Sequence, residues 1–156
     1  MRYYIDCEFD GHNGPLLSLA MVAEASLRDQ NNSIHIRVLN TPADPWVIAN
    51  VLPIMDSHQA RVSAHVYDFE AGAMIRAFIG EDDHPIIIAD SPVDIGRFCR
   101  AISTGTDKQW VSTHYPRMTF EVHNVDCYPT TLEGAVQHNA WWDAMALRAK
   151  LTETTH

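Results

Sequence analysis

Asp6 and Glu8 stand two positions apart in the run Tyr3-Tyr4-Ile5-Asp6-Cys7-Glu8-Phe9-Asp10-Gly11. The run is apolar and aromatic enough to form a strand, and side chains alternate faces along a strand. Asp6 and Glu8 then point one way, and Ile5, Cys7 and Phe9 the other. Two carboxylates aimed at one spot of a half-buried sheet repel each other and lose hydration. A hard divalent cation such as Mg²⁺ or Mn²⁺ removes both penalties. An Asp-x-Glu pair is also frequent on a solvated strand face, so it needs partners before it implies chemistry.

Two later segments supply candidates. Asp94 lies in Ser91-Pro92-Val93-Asp94, which opens a helix directly after the apolar run Pro85-Ile86-Ile87-Ile88-Ala89. In open α/β sheets this strand-to-helix edge is where ligands sit. Ser91 and Asp94 also fit a variant of the capping box, and Asp90 competes for the same role. The segment His138-Asn139-Ala140-Trp141-Trp142-Asp143 is the third. Asn139 suits the N-cap of a final helix, with His138 on the loop before it and Asp143 one turn inside. A fixed aspartate on a cation beside a movable histidine base is a sound way to deprotonate water. Taken alone, His138 reads better as a solvated loop residue and Asp143 as a helix-face charge.

The elements that must position these residues follow from pattern and punctuation. Strands are expected over residues 2–9, Leu16 to Glu24 and Ile34 to Leu39, with short turns that imply antiparallel neighbours. Asp44-Pro45 starts a helix carrying Trp46, Val47, Val51 and Leu52, which should end before Pro53. A second helix runs from Asp68 to Ile79 with Met74, Ile75 and Phe78 on one stripe, stopped by Gly80. The run 85–89 reads as a strand covered on both faces. A helix with Ile95, Phe98, Cys99 and Ile102 follows it. Thr119 to Val125 reads as a last strand and Ala140 to Leu151 as a last helix. Residues 103–117 resist assignment. Three antiparallel strands followed by strand–helix alternation predict an α/β domain with a mixed sheet.

Composition bounds the rest. The 156 residues suit a single domain over 1–156, and 46% apolar with 20% charged is ordinary for a soluble globular chain. Lys and Arg number 11 against 20 Asp and Glu, a formal charge of −9, which argues against coating nucleic acid through a broad basic surface. An enzyme that grips only a few nucleotides survives that test. No apolar run is long enough for a membrane span. Cys7, Cys99 and Cys127 have no metal-ligand spacing. Reduced thiols and an N-terminus unlike a signal peptide make a cytoplasmic location the expectation.

The ordered set of an Asp-x-Glu strand, an Asp opening a helix and a late His-x₄-Asp resembles the DEDDh branch of the DnaQ-like 3′–5′ exonucleases, with a ribonuclease H-like fold. The start Met1-Arg2-Tyr3-Tyr4-Ile5-Asp6-Cys7-Glu8-Phe9 is closest to the ribonuclease AS group, small bacterial exoribonucleases that trim adenylate-rich 3′ ends. Trp46-Val47 with Val51-Leu52-Pro53, and His138-Asn139-Ala140 with Asp143-Ala144, are similar as well. Asp90 departs from the pattern, since many relatives carry Asn there, and Phe9-Asp10-Gly11 replaces a Thr-rich turn.

The resemblance implies catalytic roles for Asp6, Glu8, Asp94, His138 and Asp143. The four carboxylates would hold two Mg²⁺ or Mn²⁺ ions, with His138 as general base. Single-stranded RNA 3′ ends would be the favoured partner, nucleoside 5′-monophosphate the product and a homodimer the assembly. Trp46, Trp110, Trp141 and Trp142 are candidates to stack on bases, as is Phe9 for approach to a terminal nucleotide; Trp141 and Trp142 flank the site but cannot both face it. Action on DNA 3′ ends, and a catalytically idle ribonuclease H-like domain used for protein contacts, remain as alternative expectations. All five positions are filled, which counts against the idle domain.

Overall fold

A computed structural model describes residues 1–24, 31–105, 117–126, 128–129 and 132–153. Trp110 and Cys127 lie outside these residues. β1 (Arg2–Phe9), β2 (Leu16–Ala23) and β3 (Ser33–Val38) form an antiparallel meander. β5 (Ile86–Ala89) joins the free side of β1 in parallel, and β6 (Thr119–Val122) extends the sheet in parallel beyond it. With β4 (Val62–Val66) on β3, the sheet has the order β4-β3-β2-β1-β5-β6. It is a six-stranded mixed sheet flanked by helices, as the α/β reading requires. Among the described residues no helix is long and apolar enough to cross a membrane.

The alternation expected of β1 sorts the core. Ile5 and Cys7 face α2 (Asp68–Ile79) and α3 (Pro92–Ile102), where they join Leu19, Ile36, Ile75, Ile87 and Phe98 in the largest apolar cluster. Phe98 is fully buried there, worth about 1.5–3 kcal/mol of transfer free energy. Tyr4 faces the other way, onto Leu147 of α4 (Ala140–Glu153), and Ala20 and Val22 of β2 lie under Trp141 and Trp142. Asp6 pairs with Ala20 and Glu8 with Ser18, so both carboxylates share the α4 face. The ladder register shifts between Glu8 and Phe9 at the end of β1.

α1 (Pro45–Asn50) begins where expected: Asp44 accepts from Trp46 N and Val47 N, and Pro45 occupies the first turn. Its Val47, with Val51 and Met55, covers Leu17. The chain does not simply stop before Pro53; it tightens into a 3-10 turn over Leu52–Ile54 that includes the proline. Trp46, expected among the apolar residues of this helix, is 54% exposed.

β4 is an element the pattern did not announce. Val62, Ser63 and His65 are exposed and only Val66 is buried. An edge strand of this kind is held by its ladder to β3 and not by its own apolar face, so periodicity carries little of it. The last strand is shorter than expected, ending at Val122, and α4 runs on to Glu153.

Candidate metal centre

The cleft lies at the C-terminal ends of β1 and β5, which are neighbours paired in parallel. It encloses about 390 Å³ and is lined by Asp6, Glu8, Asp90, Asp94, His138 and Asp143, among others. β1 supplies Asp6 and Glu8 from one face. β5 ends at Ala89 and delivers Asp90. Ser91 caps α3 by accepting from Val93 N, Pro92 sets the first turn, and Asp94 follows in that turn. The negative charge there suits the helix N-terminus.

The third wall is the start of α4. Asn139 Oδ1 accepts from Trp141 N at 3.2 Å and Trp142 N at 3.4 Å, which is the N-cap expected of it. Its Nδ2 donates to Ile54 O at 2.8 Å and Met55 O at 3.0 Å, fastening α4 to the segment after α1. His138 precedes this cap with φ 60, a left-handed conformation costing an ordinary residue about 1–2 kcal/mol. That backbone leaves the imidazole exposed at the cleft, with the Trp46 ring at 5.1 Å and 82° to it.

The acidic residues fall into two groups that share one member. Asp6, Asp90 and Asp94 can each offer an oxygen within 4.8 Å of the others, and so can Asp6, Glu8 and Asp143. Burial and mutual repulsion raise every one of the four expected ligands. Asp6 is held well above the carboxylate range by desolvation, then by Asp94, Glu8, Asp143 and Asp90. Glu8 is pushed to about 8, first by desolvation and then by Asp143 and Asp94. Asp94 and Asp143 are pushed to about 7, again mainly by desolvation, with Asp90 adding to each. The backbone N–H groups of Cys7 and of Asp94 itself, then Arg97, draw Asp94 back, and the N–H of Asn139 draws Asp143 back. The donor set is all carboxylate oxygen, so these residues fit a hard divalent cation and would be relieved by one.

The structure therefore brings Asp6, Glu8, Asp94, His138 and Asp143 to one cleft, with Phe9 at its edge. Asp90 is not an alternative to Asp94: the two stand in the same group. Its position at the end of β5, beside an aspartate already suspected, was the available signal. Tyr128, 62% exposed, and Gln137 also line the cleft. Both sit on irregular chain, where no periodicity marks them.

Trp141 and Trp142 do not face the cleft. Trp141 is 2% exposed and donates its indole N–H to Ser33 Oγ at 2.9 Å; Trp142 is 5% exposed and donates to Ser57 O at 2.7 Å. Both are core residues with their polar atoms satisfied, which corrects the expectation that one would stack on substrate. Among the described residues the exposed tryptophan is Trp46, whose ring lies beside that of His138. The chain matches no protein-family model, and no curated protein is significantly similar to it.

Proposed function

We propose that this chain is a divalent-metal-dependent 3′–5′ exonuclease acting on single-stranded nucleic acid, RNA in preference to DNA, with nucleoside 5′-monophosphate as product. The observation that supports it is the pair of carboxylate groups sharing Asp6, with His138 at the same cleft. The three antiparallel strands followed by parallel additions beyond β1 agree with the ribonuclease H-like architecture that this reading requires.

Asp6, Glu8 and Asp143 would hold one Mg²⁺ or Mn²⁺ ion, and Asp6, Asp90 and Asp94 a second. Such cations supply charge neutralisation at the scissile phosphate and make water a better nucleophile at neutral pH. His138 takes the proton of the attacking water as its oxygen bonds to phosphorus. The bond from phosphorus to the 3′ oxygen of the preceding nucleotide breaks, and that oxygen leaves with a proton from solvent. Exposed Trp46 and Tyr128 offer faces for unstacked bases, which suits a single strand and needs no broad basic surface. A homodimer in the cytoplasm is part of the same reading; a monomeric mass at micromolar concentration would remove the dimer from it.

The test is a digestion time course on 5′-labelled oligoadenylate RNA and its DNA counterpart with Mn²⁺, Mg²⁺ or a chelator. A metal-dependent ladder shortening from the 3′ end, faster on RNA, is expected. A ladder faster on DNA would reassign the substrate, and no cleavage by folded, Mn²⁺-binding protein would overturn the reading in favour of an idle domain.

A further inference from the structure

We infer that Asp10, outside the cleft and not among its ligands, is the positioning residue for His138. Asp10 lies one position past the end of β1, the strand carrying Asp6 and Glu8. Its Oδ1 accepts from Asp44 N at 2.8 Å and its Oδ2 from Ala43 N at 2.8 Å. Its own N–H donates to Pro15 O at 3.0 Å, closing the turn after β1. Asp44 in turn caps α1 through Trp46 N at 2.8 Å and Val47 N at 3.1 Å. One carboxylate thus ties the metal-ligand strand to the first turn of α1.

That first turn carries Trp46, whose ring stands 5.1 Å from the His138 ring. The segment after α1 supplies the carbonyls of Ile54 and Met55 that hold Asn139. His138 is therefore bounded on one side by Trp46 and followed by a residue fastened to the same segment. Its left-handed backbone gives it little preference of its own for this conformation. The approach of Asp44 to the turn is close: a Cβ on Gly11, at φ +64, would sit 3.0 Å from Asp44 Oδ2. Without Asp10, the 44–55 segment keeps its apolar contact through Leu17, Val47, Val51 and Met55 but loses the hydrogen bonds that tie its start to the end of β1.

The inference rests on the proposed exonuclease reading only for its kinetic arm. The first readout needs no activity. The indole ring current shifts the carbon-bound imidazole protons of His138, assigned by their loss in His138→Ala. In Asp10→Ala, in Mg²⁺, those resonances should move toward the values of a free imidazole, while Mn²⁺ affinity stays within about twofold. Asp10→Asn keeps one acceptor oxygen, is the safer variant for folding, and should give an intermediate shift.

The second readout is a double-mutant cycle. Asp10→Ala should lower kcat by about 10²-fold, the scale of an ångström misplacement. Adding it to His138→Ala should cost no more than about twofold further. Unmoved His138 resonances in both Asp10 variants would overturn the inference, whatever the activity. So would an equal loss of kcat from Asp10→Ala in the wild-type and His138→Ala backgrounds, which is the pattern of a merely structural role. If no nuclease activity exists at all, the resonances still decide the positioning.

Discussion

Asn139 and Asp143 are bonded in both directions: Asn139 N donates to Asp143 Oδ2 at 3.1 Å, and Asp143 N donates to Asn139 O at 3.0 Å. One carboxylate oxygen of the candidate ligand is thereby fixed by the residue that caps its own helix. Aim of the carboxylate and start of the helix are set together.

Asn139→Ala keeps this backbone pair but removes the side chain that fixes the helix start, so it should damage stability and, through the loosened start of α4, the site. It removes the cap, worth about 1 kcal/mol, and takes the amide donor from Met55 O, while Ile54 O still accepts from Ser57 N. Unsatisfied buried groups cost about 1–3 kcal/mol each. A loss of about 2–4 kcal/mol in urea unfolding, with weaker Mn²⁺ binding, is expected. Unchanged Mn²⁺ affinity in the folded variant would separate the cap from the ligand.

Metal and proton compete for the same oxygens. Glu8 titrates at about 8 and Asp94 and Asp143 at about 7 in the folded chain, above their ordinary 4.5 and 3.8. The folded state then binds more protons than the unfolded one between those limits. Their contribution to stability is complete below pH 4 or so and is lost as pH rises through about 7 to 8. Divalent cation replaces the protons, so the rise in Tm on adding Mn²⁺ to chelator-treated protein should grow from pH 5 to pH 8. A rise independent of pH would place the cation elsewhere.

His35 carries the opposite sign. It is fully buried, neither ring nitrogen has a partner among the described residues, and the His58 ring lies 4.1 Å away. Desolvation, then His58, lowers it to about 3. Its stabilising contribution is present above pH 6.5 and lost as pH falls toward 3. His35→Leu removes the orphaned nitrogens, so it should be neutral or stabilising at pH 7 and should flatten the acid limb of stability against pH between 6 and 4. An acid limb as steep as wild type would mean that other groups govern it.

The roles at the cleft separate by readout. Asp6→Ala removes the residue common to both acidic groups and should abolish turnover and Mn²⁺ binding together. His138→Ala should lower turnover by about 10²–10⁴-fold, the usual worth of a general base, with Mn²⁺ affinity retained. Asp90→Ala and Asp94→Ala should both impair turnover, since the two share one group. Full activity in either would reduce that group to a single working aspartate.

Much of this was legible because the relevant signals are local. The alternation of Ile5, Cys7 and their acidic neighbours set the face of β1, and Asp44-Pro45, Ser91-Pro92 and Asn139 marked three helix starts by cap chemistry alone. What sequence did not carry was burial decided at long range. Trp141 and Trp142 sit beside Asp143 in the chain, yet the sheet face of Ala20 and Val22 takes both of them. β4 exists through its pairing with β3, Ile34 beside Val62 to Val38 beside Val66, a partnership no pattern within 62–66 announces. Asp90 entered the site because the short passage from β5 into α3 brings it and Asp94 to one point.

β1 serves the core with one set of side chains and the cleft with the other, and the two sets differ only by a step of one residue. A single inserted or deleted residue before Asp6, with pairing to β2 kept, would exchange them. Carboxylates would then point at Phe98 and Ile75, and the side chains of Ile5 and Cys7 would turn to the face of α4. Folding and site assembly therefore share one reading frame in this strand. Indels there should be purged for stability even in a lineage that no longer uses the cleft, whereas substitutions at Asp6 and Glu8 would be free to accumulate.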